Sequence, residues 1–298
     1  MRFDLGLVIW ALCAGLAVVS AVPAFGADGP AAPAKIGVLI IDGQNNHKWA
    51  ETTPAIKAML EKMGRFTVEV ATTPARKAPE AEWAKFRPAF DKYDAVFLNY
   101  YGQAWPAEVN KSFEQFVRGG GGLVFYHAAA ASFPAWKEFN LMMGMGWRKA
   151  SQGMRLTVDD KGEEVRTPAG EGPGAGHGPR YSFEVVVRDG EHPVTKGLPV
   201  KFMHAADELW QGLRGPLKGM HILATAFADK KHRGTGTNEP LVWTVPYGKG
   251  RVFVTVLGHD VAAATAPSSA VFIARGLEWA ASGKVTLPVP KELSNESK

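Results

Sequence analysis

Apolar residues along this chain recur with two spacings. Residues 35–42 carry an unbroken run, Ile36-Gly37-Val38-Leu39-Ile40-Ile41, as expected of a strand covered on both faces. Residues 43–49 are a polar loop. Thr52 and Thr53 ahead of Pro54 read as a helix start, a cap residue followed by proline, and Ile56, Met59, Leu60 and Met63 repeat on one face. Gly64 ends that helix. Residues 66–71 alternate as a second strand, and 86–93 lead into a third over 95–100. Val109, Phe113, Phe116 and Val117 place a helix over 108–118; Gly119 to Gly122 stop it, and Leu123-Val124-Phe125-Tyr126 form a fourth strand.

Strands alternating with helices through short connections predict an α/β chain with a parallel, doubly wound sheet. The middle of the chain differs. Residues 155–160 and 181–188 read as strands, and between them 167–179 is rich in glycine, proline and glutamate, the composition of a mobile surface loop. Further strands are expected at 222–227, 241–245 and 251–257, the last closing the sheet. Pro246-Tyr247-Gly248-Lys249-Gly250 joins two of them as a hairpin. A final helix covers 270–281, and 291–298 form a polar tail.

The N-terminus changes the picture of where the protein works. Arg2, an apolar stretch over 5–22 and small residues around Ala24-Phe25-Gly26 make residues 1–26 a cleavable signal peptide. The rival reading is an uncleaved anchor, for which the stretch is near the lower length limit. Residues 27–34 are a linker and 35–290 one domain. Cleavage also removes Cys13, the one cysteine among 298 residues. The mature chain therefore has no thiolate nucleophile or cysteine ligand, which suits a bacterial periplasm or exterior. The net charge of +5 is scattered, without the basic stripe of a nucleic-acid binder. No membrane contact is expected after cleavage, and oligomeric state is open.

Ligands in open α/β sheets bind beyond the carboxyl ends of the strands. After the first strand come Asn45, Asn46 and His47; after the third, Tyr100 and Tyr101; after the fourth, His127 and then Ala128 to Ala131; after the last, Gly258, His259 and Asp260. A histidine after a strand is often only a loop residue, but three after separate strands would share one edge. His127, stepping from strand into small residues, has the setting of a nucleophile elbow without serine or cysteine. A second cluster, His204-Ala205-Ala206-Asp207-Glu208-Leu209-Trp210, reads either as a site or as a helix start with its acids answering the dipole. Trp147 fits a sugar face or the core, and His177 is a lid residue or nothing. Neither a Walker loop nor a dinucleotide fingerprint is present, so no nucleotide cofactor is expected.

In this order, His47-Lys48-Trp49, Tyr93-Asp94, Gly120 to Ala129, His192-Pro193-Val194-Thr195-Lys196-Gly197-Leu198-Pro199, Asp207-Glu208-Leu209, Glu239-Pro240, Tyr247 to Phe253 and Gly258-His259-Asp260 resemble the ThuA-like (trehalose utilisation) family. The resemblance implies a fold related to class I glutamine amidotransferases, a flavodoxin-like sheet with added antiparallel strands, and a small carbohydrate such as a disaccharide as ligand. Amidotransferases need an elbow cysteine; here His127 stands there, which excludes thiolate chemistry. The leading expectation is lyase, hydrolase or isomerase chemistry on a 3-keto-glycoside, whose ketone acidifies the neighbouring C–H. His127, Asp207 or Glu208 would act as acid or base. His47, His127 and His259 would hold a divalent metal. Asn46, Tyr100, Tyr101, Trp147, His204, Trp210 and Asp260 would bind substrate. Two alternatives are a non-catalytic carbohydrate-binding module and a protein whose histidines only stabilise the fold through a metal.

Overall fold

The computed structural model describes residues 1–3 and 34–293. The body of the expected signal peptide, most of the linker and the tail beyond residue 293 lie outside the described residues. The first half of the domain runs β1 (Ile36–Asp42), α1 (Trp49–Lys62), β2 (Phe66–Thr72), the single turn α2 (Glu80–Trp83), β3 (Ala95–Leu98), α3 (Ala107–Gly119), β4 (Gly122–Tyr126) and α4 (Lys137–Met143). The second half adds β5 (Arg155–Val158), β6 (Glu164–Thr167), β7 (Gly176–His177), β8 (Glu184–Val187), β9 (Lys201–Met203), β10 (Trp210–Gln211), β11 (His221–Phe227), β12 (Asn238–Tyr247), β13 (Gly250–Thr255), α5 (Val261–Thr265) and α6 (Pro267–Ser282).

Among the described residues one eleven-stranded sheet dominates, in the order β2-β1-β3-β4-β13-β12-β11-β8-β9, with β5 and β6 branching from β12. The five strands from β2 to β13 are parallel. With β13 in the fifth place this is the flavodoxin-like strand order. From β13 onward every pairing is antiparallel. The expected hairpin is present, with Tyr247 opposite Gly250. β13 does not close the sheet as expected: it sits in the middle, because β4 takes one of its edges and β12 the other. β1, β3, β4 and β13 are almost wholly buried, which explains their unbroken apolar runs.

Alternate residues of β4 face opposite layers. A Cβ at Gly122 would lie 2.6 Å from the Ala280 backbone of α6, so glycine here lets the helix lie directly on the strand. Phe125 points the other way, onto Phe139 of α4 with ring centres 4.9 Å apart. The glycine run at 119–122 is thus a helix stop and a packing contact together.

Two expectations are corrected. α1 starts at Trp49, a turn before the Thr-Pro signal, with Pro54 inside it; proline there forgoes only the bond to the Ala50 carbonyl. Thr52 and Thr53 do not cap. Both are buried and accept hydrogen bonds from Asn99 Nδ2 at 3.0 Å. The 167–179 segment is not a loose loop. The fully buried Arg214 donates to the carbonyls of Pro168 (3.1 Å), Glu171 and Pro173 (3.0 Å), and β7 within the segment pairs with β10. A guanidinium with five donors binds several carbonyls at once. At the other end, Lys291–Leu293 form a short 3-10 turn whose Leu293 is buried, so packing continues past Pro290.

Candidate metal centre

The parallel strands end on one side of the sheet, and three histidines meet there. His127 follows β4 directly with φ +43, a left-handed conformation that side chains adopt at a cost. This turn throws its ring across the strand ends. Nδ1 donates to the Val256 carbonyl at 2.7 Å, which fixes the tautomer and leaves Nε2 as the lone-pair nitrogen. Nε2 is buried and has no hydrogen-bond partner among the described residues; it lies 3.7 Å from Glu208 Oε2.

His47 comes from the loop after β1. Its Nδ1 is 3.3 Å from Asn45 Oδ1, Asn45 is tied to Asn99 at 3.2 Å, and Asn99 to the buried threonines of α1. That chain turns His47 Nε2 towards Glu208 Oε2, 3.9 Å away. His259, after β13, puts Nδ1 3.0 Å from Glu208 Oε1. The rings of His47 and His127 are 4.7 Å apart, those of His47 and His259 4.5 Å. One ligand atom from each of His47, His127, Glu208 and His259 lies within 4.8 Å of every other. Ligands of a tetrahedral zinc, at bonds of about 2.0–2.1 Å, stand roughly 3.4 Å apart, so the four groups would draw in by about 1 Å to close on a single cation.

The electrostatics agree with a ligand role. Burial pushes the His127 imidazole down to about 4, against the pull of Asp207, so its lone pair is free at neutral pH. Burial opposes ionisation of Glu208, but His47 and the neighbouring His127, His259 and His177 outweigh it and hold the carboxyl down at about 2. Three imidazoles and one carboxylate are a donor set that suits zinc, iron or manganese. Trp210 donates to Glu208 Oε2 at 3.3 Å and packs 4.8 Å from the His127 ring.

Asp207 and Glu208 are neighbours with opposite duties. Asp207 is wholly buried. Its Oδ1 accepts from the amides of Glu208 (2.8 Å) and His259 (3.0 Å), and Oδ2 from the Gly258 amide (2.6 Å) and His204 Nε2 (2.9 Å). Burial works against its ionisation, yet the hydrogen bond from His204 and the other donors keep the carboxyl well below its usual range. It is therefore a positioning residue for two of the four clustered side chains, Glu208 and His259. The expectation of Asp207 as acid or base is corrected, since no oxygen remains for a substrate. The helix-start reading of 204–210 also fails: the segment is extended, Asp207 pairing with Tyr181 ahead of β10.

A cavity of 360 Å³ opens over the cluster, lined by Asn46, His47, Tyr101, Trp147, Glu208, Trp210 and His259, with Ala128, Ala131 and His177. Three expected substrate residues are elsewhere. Tyr100 is core: its hydroxyl donates to the Gln103 carbonyl and its ring stacks on Phe133. His204 is buried between Asp207 and Ser268. Asp260 caps α5 through the Ala263 amide and pairs with Arg180 at 2.8 Å. Two roles escaped the sequence. Glu208 stands among the candidate ligands, and His177 Nε2 lies 3.4 Å from Glu208 Oε1. Extended chain sends adjacent side chains to opposite sides, so one of the Asp-Glu pair had to face the cavity, but not which.

The family model for ThuA, trehalose utilisation, matches residues 37–280. The chain belongs to the ThuA family. A ThuA-like protein from Parabacteroides merdae is 40% identical, with a TM-score of 0.83 over 89% of this chain and 96% of that one. A ThuA-like protein from Bacteroides uniformis shares the fold at 19% identity, with a TM-score of 0.57 over 88% of this chain and 97% of the other. The glutaminase domain of CTP synthase from Trypanosoma brucei aligns with a TM-score of 0.48 at 11% identity over 88% of this chain and 98% of its own. No curated protein matches the chain. Within this ThuA chain the turn directly after β4 carries His127.

Proposed function

We propose that this ThuA protein is an exported carbohydrate-active enzyme whose His47, His127, His259 and Glu208 hold a divalent cation, and that it acts as a lyase, hydrolase or isomerase on oxidised (3-keto) glycosides. One observation carries the reading: the buried, unpartnered Nε2 of His127, aimed at Glu208. A buried polar atom left unpaired costs about 1–3 kcal/mol, and a cation bound there removes that cost. Bound among these four groups, the cation supplies electrophilic polarisation of a substrate oxygen.

The chain's own groups divide the remaining work. Trp210 and the Asn45–Asn99 pair orient the ligand side chains. Trp147 and Tyr101 offer aromatic faces to a sugar ring. His177 stands at the cavity outside the four-ligand set, and its Nε2 is the position from which a proton next to a ketone is taken or a leaving oxygen protonated. Amidotransfer is not the reaction, because the elbow lacks a thiolate.

Elemental analysis of the purified mature chain, with NMR observation of 3-keto-trehalose, tests this. About one zinc, iron or manganese per chain and consumption of the keto sugar, both lost in His127→Ala, are expected. A chain that takes up none of these metals and leaves the sugar intact overturns the proposal. Mass spectrometry of protein expressed with its leader checks export: a mature N-terminus at Ala27 supports cleavage, whereas an intact Met1 start removes it.

A further inference from the structure

The cavity over the histidines is not alone. A second cavity of 610 Å³ adjoins it. Tyr101, Ala131 and Trp147 belong to the walls of both, so the two are neighbouring chambers of one cleft. The outer walls add Lys149 and Gln152 from the chain after Trp147, and Gly174 and Ala175 from the segment pinned by Arg214.

The shared wall is built firmly. The buried guanidinium of Arg148 donates to the carbonyls of Ala131 (3.0 Å), Ser132 (2.5 Å) and Trp147 (2.9 Å), and its Nε to Asn140 Oδ1 (3.0 Å). The same side chain thus holds both sides of the junction. The Trp147 indole is braced by Trp210, ring centres 4.7 Å apart, yet remains partly exposed. The Ala175 amide bonds to the Arg148 carbonyl at 3.0 Å, which ties the opposite wall to this one. A pre-formed wall of this kind spares a ligand the entropy of ordering it.

The chemistry of the outer chamber is narrow. It offers an indole, a phenol, an amide and an ammonium, and no aliphatic side chain larger than proline except the stems of Arg148, Lys149 and Gln152. An aromatic surface beside a polar rim matches a hydroxylated ring, whose C–H face stacks while its hydroxyls bond outward. The outer volume lies within the range of small-ligand sites, and the inner one is near its lower end.

We infer that the outer chamber is a second sugar-ring subsite, with Trp147 and Tyr101 at the junction and Lys149 and Gln152 at the rim, so that the protein recognises a two-ring glycoside with one ring over the histidine cluster. The inference rests on the proposed function and adds the place of the second ring and the residues that select it.

The full mature chain, supplied with zinc, is tested in two ways. Saturation-transfer NMR with trehalose reads contact to each ring. Turnover of 3-keto-trehalose against methyl 3-keto-α-glucoside reads the preference in kcat/KM. Expected are contact to both rings and about a tenfold preference for the two-ring substrate, the size of one or two hydrogen bonds from the Lys149 and Gln152 rim. Lys149→Ala/Gln152→Ala, two exposed positions, should bring that ratio to about one and remove contact to one ring. Trehalose binding through both rings, sensitive to the double variant but without keto-sugar turnover, keeps the subsite and sinks the chemistry. Turnover with no two-ring preference keeps the chemistry and sinks the subsite. Neither binding nor turnover overturns both.

Discussion

At the residue scale, His127 is held neutral by its surroundings, and this makes a pH prediction. Its folded pKa of about 4 lies below the ordinary 6.5, so between those values the unfolded chain binds more protons than the folded one. Stability conferred by the neutral imidazole is present above pH 6.5 and is lost as pH falls towards 4. His192, also pushed down to about 4 by burial, adds in the same direction. Urea midpoints of metal-free protein should therefore drop from pH 7 to pH 4.5. His127 alone would contribute about 3 kcal/mol. His127→Asn should flatten part of that slope; an unchanged slope would show that His127 is not held neutral.

Asp207 is the second residue whose neighbours define it. Replacing it by asparagine puts an amide donor among four donors already converging on one carboxylate. The expected loss is about 3–5 kcal/mol of stability, together with about 10–100-fold weaker zinc binding through misplaced Glu208 and His259. Chelator competition on the folded variant reads the second effect, and unchanged affinity would confine Asp207 to the core.

Among elements, the segment between β6 and β8 depends on β10 and the chain just after it. Arg214 holds its carbonyls, and the β7–β10 pairing sets His177 beside Glu208. Arg214→Met should release it, since methionine fills similar volume without a donor. Limited proteolysis should then cut within residues 167–179 at least ten times faster than in the parent, while the β1–β4 region stays protected. Equal cleavage rates would mean that the strand pairing alone suffices. Gly258 marks another junction between elements: its φ is +105 and a Cβ there would meet the Tyr126 ring at 2.6 Å. Gly258→Ala should lower the melting temperature and weaken metal binding together, because the ring must shift beneath His127 and His259; melting curves with and without zinc would separate the two losses.

Over the whole molecule, the parallel half supplies the strand ends that carry His47, His127 and His259, and the antiparallel half supplies Glu208, Trp210 and His177. Neither half holds the site by itself. His47, His127 and His259 come from the chain just after three parallel strands, β1, β4 and β13, placed on one side by the rule that ligands gather beyond strand carboxyl ends. Glu208 arrives on an extended segment carried over that edge by β8 and β9. A cation bound by all four would staple the halves together, so zinc should raise the melting temperature in proportion to the logarithm of its concentration. The three single-histidine variants should each lose that dependence.

The amino-acid sequence alone determined the α/β class, the parallel half and the histidines as its centre. Those features rest on short-range physics: unbroken apolar runs for doubly covered strands, helical spacing, glycine stops, and the side of a parallel sheet on which loops emerge. It also placed His127, and no cysteine, directly after the fourth strand, the one cysteine being Cys13 near the N-terminus. Tertiary structure decided what sequence spacing cannot carry. Which of Asp207 and Glu208 faces the cavity depends on the amides of Gly258 and His259, some fifty residues away in the chain. The fate of the 167–179 segment depends on Arg214, and the place of β13 on which strands take its two edges. His127 was visible as the elbow residue, but its role depends on the Val256 carbonyl that fixes its tautomer and on the burial that keeps it neutral.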